Sequence, residues 1–174
     1  SLLRLGNPAI EKAVEILGKS KPALRQKIAT FLGSTRAEKA IKPLADLLKN
    51  DPDSAVRCAS AFALANFSKK KEVTEALMKQ LLFDRSPDVR VACAGSLAKT
   101  GKPAAAQILM RSLKKDKSAR VRAACVMGLT RFKNIRTVDA IISALSDEEG
   151  NVRAAAARAL GILKDPNAVA SLVQ

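Results

Sequence analysis

An apolar residue followed by arginine returns along the chain at Leu24-Arg25, Val56-Arg57, Val89-Arg90, Val121-Arg122 and Val152-Arg153, at steps of 32, 33, 32 and 31 residues. Eight residues after each apolar position stands a leucine (Leu32, Leu64, Leu97, Leu129, Leu160), with mostly small residues between. One helix is therefore written five times. A unit of this length cannot bury its apolar face alone, whereas stacked copies share one continuous core, so the period predicts a solenoid. Solenoids offer long surfaces, which points to binding rather than to chemistry.

A second helix type lies between the copies, over residues 9–17, 37–48, 72–82, 104–113 and 137–145, with an incomplete copy over 167–174. Its apolar residues recur at three and four residue spacings, as in Ile41, Leu44, Leu47 and Leu48, or Ile108, Leu109 and Leu113. That is the pattern of a core-facing helix and not of a strand. The unit is a hairpin of helix A then helix B, and the repeats run over about 7–34, 35–68, 69–100, 101–133 and 134–164. Residues 1–6 read as the end of a preceding helix and 165–174 as the start of a further repeat, which suggests a piece of a longer array. Asp51-Pro52, Ser86-Pro87 and Asp165-Pro166 place a capping side chain before a proline suited to a first helical turn. The expected fold is all-α, a right-handed superhelix of stacked antiparallel hairpins.

The pattern DxxxxVRxxAxxAL, together with this period, resembles HEAT repeats, in particular the short HEAT-like units of the phycobilisome-lyase type. Asp51, Asp84, Asp116 and Asp147 precede Arg57, Arg90, Arg122 and Arg153 by six residues each, and Pro43 falls in a helix A, where HEAT repeats tolerate a kink. The resemblance implies an Asp/Arg ladder linking successive hairpins. Lys19 holds the aspartate slot before Arg25, so the ladder is expected to be weakest in the first repeat. Stability is the ordinary role of such a column, because a guanidinium can grip a carboxylate with two hydrogen bonds at a partly buried junction. Tetratricopeptide and ankyrin signatures are absent.

Composition narrows the chemistry. With 48% apolar but only 3% aromatic residues the core is aliphatic, and stacking platforms for bases are nearly missing. There is no histidine, so no Ser/His/Asp or Cys/His arrangement is possible and a transition-metal site would need carboxylates alone. The resemblance to HEAT-like deoxyhypusine hydroxylases therefore implies no activity here, since those rely on His-Glu motifs. HEAT-like DNA glycosylases use aromatic-lined sites with no counterpart in a Trp-free, Tyr-free chain. The expectation is a non-enzyme without cofactor, with HEAT-like enzymatic or phycobilin lyase-type activity a distant third reading. Three cysteines make no disulfide framework, and Cys93 and Cys125, at equivalent repeat positions, would lie about 8 to 10 Å apart, too far for a bridge. A reducing, cytoplasmic setting is expected. No apolar run reaches the roughly 18 residues of a membrane span, and no signal peptide opens the chain, although a first residue of Ser leaves room for a removed segment.

Two surfaces remain for a partner. Projected at 100° per residue, helix B turns its apolar position, plus four and plus eight to the core, leaving plus two and plus six outward. That outward stripe reads Cys58 and Phe62, Val91 and Gly95, Ala123 and Met127, then Ala154 and Arg158. In HEAT-type solenoids helix B lines the concave face, so Cys58, Phe62, Val91, Ala123, Met127 and Arg158 are the candidate groove residues; the plainer alternative is that neighbouring units cover them. The second surface is electrostatic. Between Lys99 and Arg136 lie Lys99, Lys102, Arg111, Lys114, Lys115, Lys117, Arg120, Arg122, Arg131, Lys133 and Arg136, with Asp116 the only acid, in a chain of net charge +15. Such a run is commonly just a solvated face; as a dock it would take an acidic protein or nucleic-acid phosphates. The expected partner is another protein with an acidic or amphipathic segment, with sequence-indifferent binding of nucleic acid as the alternative. Oligomeric state is left open.

Overall fold

In the computed structural model, which describes residues 2–132 and 134–164, ten α-helices succeed one another with no strand among the described residues. Helices A are α1 (Leu2–Leu17), α3 (Ile41–Asn50), α5 (Lys71–Phe83), α7 (Pro103–Lys115) and α9 (Ile135–Ser143). Helices B are α2 (Pro22–Thr35), α4 (Ser54–Leu64), α6 (Pro87–Ala98), α8 (Ala119–Leu129) and α10 (Gly150–Leu163). Each B helix packs on its own A helix and extensively on the B helices before and after it, whereas successive A helices meet only sparsely. Close B–B spacing with open A–A spacing curves the array, B helices on the inside.

Small residues permit the close spacing. Ala29, Ala61 and Ala94 are buried between B helices, and the Ser96 hydroxyl donates across the junction to the Ala61 carbonyl at 2.9 Å. Gly33 is required: a Cβ there would stand 2.6 Å from Cβ and 2.8 Å from Cα of Ala63. The apolar positions read from the period form the core, with Val56, Val89, Val121 and Val152 and the five leucines at plus eight all buried. Burying each such side chain is worth about 1.5 to 3 kcal/mol. Leu24 and Phe31, on α2, remain exposed, because no B helix precedes α2 among the described residues.

Several local expectations need correction. Residues 2–6 do not end a separate helix; they continue α1, with Pro8 inside it, which forfeits one backbone hydrogen bond but still permits a helix. Pro43 stands in the first turn of α3 and not in a helix interior, a position where a missing N–H costs little. Asp51 does not cap α4. Asp53 does, accepting from the amides of Ala55 at 2.8 Å and Val56 at 3.2 Å, and Pro52 lies in the turn. Ser86 and Pro87 do occupy the N-cap and first-turn positions of α6, but the serine side chain makes no capping bond. Asp165, Pro166 and the partial helix over 167–174 lie outside the described residues. No described helix is long and apolar enough to cross a membrane.

Candidate functional site

The turn from helix A to helix B repeats one hydrogen-bond pattern. Arg57 does not bind the carboxylate six residues before it; its Nη1 donates to the Asp51 backbone carbonyl at 2.9 Å, while Nε and Nη2 grip the carboxylate of Asp84 in the next repeat at 2.8 and 2.9 Å. Arg90 likewise takes the Asp84 carbonyl and the Asp116 carboxylate, and Arg122 the Asp116 carbonyl and the Asp147 carboxylate. Each aspartate also accepts the amide two residues on, from Asp53, Ser86, Ser118 and Glu149 in turn. One residue thus shapes its own turn and joins two hairpins.

The first repeat is not the weak link expected from Lys19. Arg25 grips Asp51 at 2.7 and 2.8 Å and finds the Ser20 carbonyl in place of an aspartate's. The carbonyl is a backbone group, which any residue can supply. At the other end Arg153 donates to the carbonyls of Asp147 and Glu148 and has no carboxylate partner among the described residues. Arg122 hydrogen-bonded to Asp147 holds that carboxyl below the usual aspartate value. At Asp51 burial pushes upward, but the bonds from Arg25 and from the Asp53 amide outweigh it and the net direction is also down.

The basic run does not form one surface. Helix α7 has 13 residues, about 20 Å at 1.5 Å per residue, and the run crosses it from end to end. Lys99, Lys102, Arg131 and Arg136 fall at the turns from B to A, whereas Lys114, Lys115 and Lys117 fall at the turn from A to B, with Arg111 and Arg120 in the flanking helices. Lys133 lies outside the described residues. Two of the cations are already engaged: the Lys102 ammonium donates to the carbonyls of Lys69 and Lys70 and to Thr74 Oγ1, and Arg120 pairs with Asp88 at 2.8 Å. Arg122, the eleventh cation of the run, belongs to the ladder.

On the B face the candidate groove residues are accessible to different degrees. Phe62 is 55% exposed; Cys58, Val91, Ala123 and Met127 are half-buried, and Arg158 is exposed. None of the six is buried. The cysteines are free, and burial pushes the thiols of Cys93, Cys125 and Cys58 upward, so none supplies a thiolate nucleophile at neutral pH. No group of three or more His, Cys, Asp or Glu side chains able to hold a metal occurs among the described residues.

Reading the sequence as a stripe on helix B left Phe83 unnoticed. It ends α5 and is 73% exposed. The signal was available: aligned on the ladder aspartates, its position holds Asn50, Lys115 and Ser146 in the other repeats.

The family model for HEAT repeats matches residues 1–65, 42–130 and 112–174. No curated protein matches the chain. Among solved structures the chain is similar to the complex of CpcE and CpcF of phycocyanin lyase from Nostoc sp. PCC7120, with 24% identity and a TM-score of 0.71 over 91% of this chain and 66% of that one. It is similar to YibA of Escherichia coli at 24% identity and TM-score 0.69, over 98% and 65% of the two chains. A designed armadillo repeat protein in complex with the peptide (KR)4 aligns at 17% identity and TM-score 0.56, over 92% and 89%. At these identities the likeness is one of fold, and the chain spans slightly under two thirds of each of the first two proteins.

Proposed function

The chain belongs to the HEAT-repeat family, and from that premise we propose that it is a non-enzymatic scaffold seating a partner protein on the inner, helix-B face. The observation that carries this reading is Phe62, more than half exposed on the inner face of α4, with half-buried Cys58, Val91, Ala123 and Met127 on the same outward stripe of successive B helices. An exposed phenyl ring in company with a methionine suits the apolar side of an amphipathic helix, since Met adapts to varied contacts. Arg158, further along the stripe, offers a charged end. Lyase chemistry is not carried over from the CpcE and CpcF likeness, which concerns the fold.

A pull-down with the full-length protein, with and without nuclease, tests the proposal. A protein partner that persists after nuclease treatment and is lost from the Phe62→Asp, Met127→Asp double variant, at unchanged helical circular dichroism, is the expected result. A complex that dissolves with nuclease would contradict it. The second reading, sequence-indifferent binding of nucleic-acid phosphates, draws on exposed cations at or near the end of every B helix: Arg36, Lys69, Lys99, Arg131 and Lys164. Under that reading log affinity for duplex DNA falls linearly with log salt, at a slope of about 0.9 per phosphate neutralised.

A further inference from the structure

Phe83 breaks the rule of its own repeat. The residue before the ladder aspartate is polar at Asn50, Lys115 and Ser146, and only the third repeat places a phenyl ring there, exposed to 73%. The other repeats show that the turn does not need it. A ring in that position contributes little to the core and leaves apolar area in water that a covering partner would remove.

The surroundings of the ring are built as a furrow. On one side Phe83 lines a cleft of about 400 Å³ with Gln80, Lys49 and Arg85, and on the other a cleft of about 150 Å³ with Arg111 and Lys115. Through Asn50, Asp51 and Pro52 the first of these adjoins a third cleft of about 630 Å³, where Val14, Leu17, Pro43 and Leu47 supply apolar walls. The three clefts follow the outer A helices near their carboxyl ends, across the first four repeats. Sparse A–A contact is what opens them.

Charge along the furrow is predominantly positive, with Asp46 the one lining carboxylate that has no cation partner among the described residues. Asp51, Asp84 and Asp116, which line it, are each gripped by the arginine of the preceding repeat. Lys49, Arg111 and Lys115 have no carboxylate partner among the described residues, and Arg85 donates only to the Pro52 carbonyl at 3.1 Å. Four cations without a carboxylate partner among the described residues therefore flank the exposed aromatic ring, two on each side, while Asp46 lines the more distant cleft together with Lys42.

We propose that this furrow binds an extended acidic segment of a partner protein, with one aromatic or aliphatic side chain seated against Phe83 and carboxylates on Lys49, Arg85, Arg111 and Lys115. Repeat junctions about 10 Å apart give the three clefts a span of roughly 20 to 30 Å, matched by about six to nine residues of extended chain at 3.3 Å each. A peptide suits the furrow better than a nucleic acid does. The end at Val14, Leu17 and Leu47 is mainly apolar and its cation Lys42 is offset by Asp46, so it offers a phosphate backbone little, whereas it accepts apolar side chains from a peptide. This site lies on the other side of the array from Phe62 and does not depend on the inner face being a binding surface.

A phage-displayed octapeptide library panned against the chain, followed by fluorescence anisotropy of the enriched peptides, provides the test. The expected peptides carry several Asp or Glu residues around one aromatic or aliphatic residue. Phe83→Ser, which installs the residue found at Ser146 in the fifth repeat, should weaken them at least tenfold at an unchanged urea midpoint, and Lys49→Glu with Lys115→Glu should weaken them comparably. Phe62→Asp should leave affinity within about twofold, which separates this furrow from the inner face. Failure to enrich peptides, enrichment of sequences without acidic residues, or affinity indifferent to both sets of variants would overturn the proposal. So would displacement of the peptide by a dT12 oligonucleotide that itself binds more tightly and loses affinity with Phe83→Ser, since that would assign the furrow to nucleic acid.

Discussion

The two edges of the solenoid solve the same problem by different means. At every turn from A to B after the first, an aspartate and an arginine recur in one geometry, with N–O distances of 2.7 to 2.9 Å at each bidentate grip. The turns from B to A share only a partial pattern: at those following α2 and α6 a threonine, Thr35 or Thr100, donates its hydroxyl to the carbonyl three residues back and accepts the amide two residues on. Arg36 and Gly101 each take the left-handed backbone conformation, with φ of 52° and 64°; the second repeat inserts a 3-10 turn, Ala65–Phe67; the fourth is followed by an Asn134 and Thr137 capping box. The regular edge is where side chains must bridge hairpins whose A helices barely meet. On the irregular edge the B helices already pack, and each turn needs only to close.

Removing a member of the central ladder pair should therefore have the largest effect. Arg57 and Asp84 are the most buried pair, each side chain 4% exposed, and truncating one leaves the other charged and unpaired, at a cost of about 3 to 5 kcal/mol. Lys102→Ala at the opposite edge, which also removes three hydrogen bonds, should cost no more than about 1.5 kcal/mol, because that ammonium reaches water. Equal shifts of urea midpoint for Arg57→Ala and Lys102→Ala would erase the distinction between the edges.

The B–B packing behind the irregular edge is probed by Gly33→Ala. The added methyl meets Ala63 backbone as well as its Cβ, so α2 and α4 must separate, and a loss of about 1 to 3 kcal/mol is expected by thermal denaturation. Wild-type stability in this variant would mean that the B helices are not held as closely as the fold requires.

Acid sharpens the comparison further. The carboxyls of Asp51 and Asp147 are held below the ordinary value of 3.8, so their contribution is present above that value and is lost as pH falls through the lower folded value. Hydrogen exchange below about pH 4 should open the A-to-B turns first, while the B-to-A turns, whose pair of Lys70 with Glu38 is exposed and contributes little, stay protected. The smallest effect expected is a gain: Arg36→Gly relieves a non-glycine left-handed residue and should stabilise by about 1 kcal/mol, visible as a small rise in Tm.

Much of this architecture was legible because the period is written in residues that the core cannot exchange. Val56, Val89, Val121 and Val152, with their leucines, named the B helices, and the six-residue spacing marked the ladder residues. The spacing could not say which aspartate each arginine grips, since that depends on how neighbouring hairpins lie; the nearer aspartate turned out to lend its backbone and the farther one its carboxylate. Reading Lys99 to Arg136 as one patch failed for a related reason. In a solenoid, successive turns alternate between opposite edges, so neighbours along the chain become strangers in space. Phe83 was missed because periodicity draws attention to what repeats, and it is a residue that does not.

Register residues hold the array, whereas the outward residues of the B helices stand outside its core. The urea midpoint of Phe62→Asp, set beside that of Arg57→Ala, tests that division most directly. Phe62→Asp should stay within about 0.5 kcal/mol of the wild-type stability, as a surface substitution does, while Arg57→Ala loses several times more. A loss of about 2 kcal/mol or more for Phe62→Asp would place that ring in the core, and the inner face would no longer be available as a contact surface.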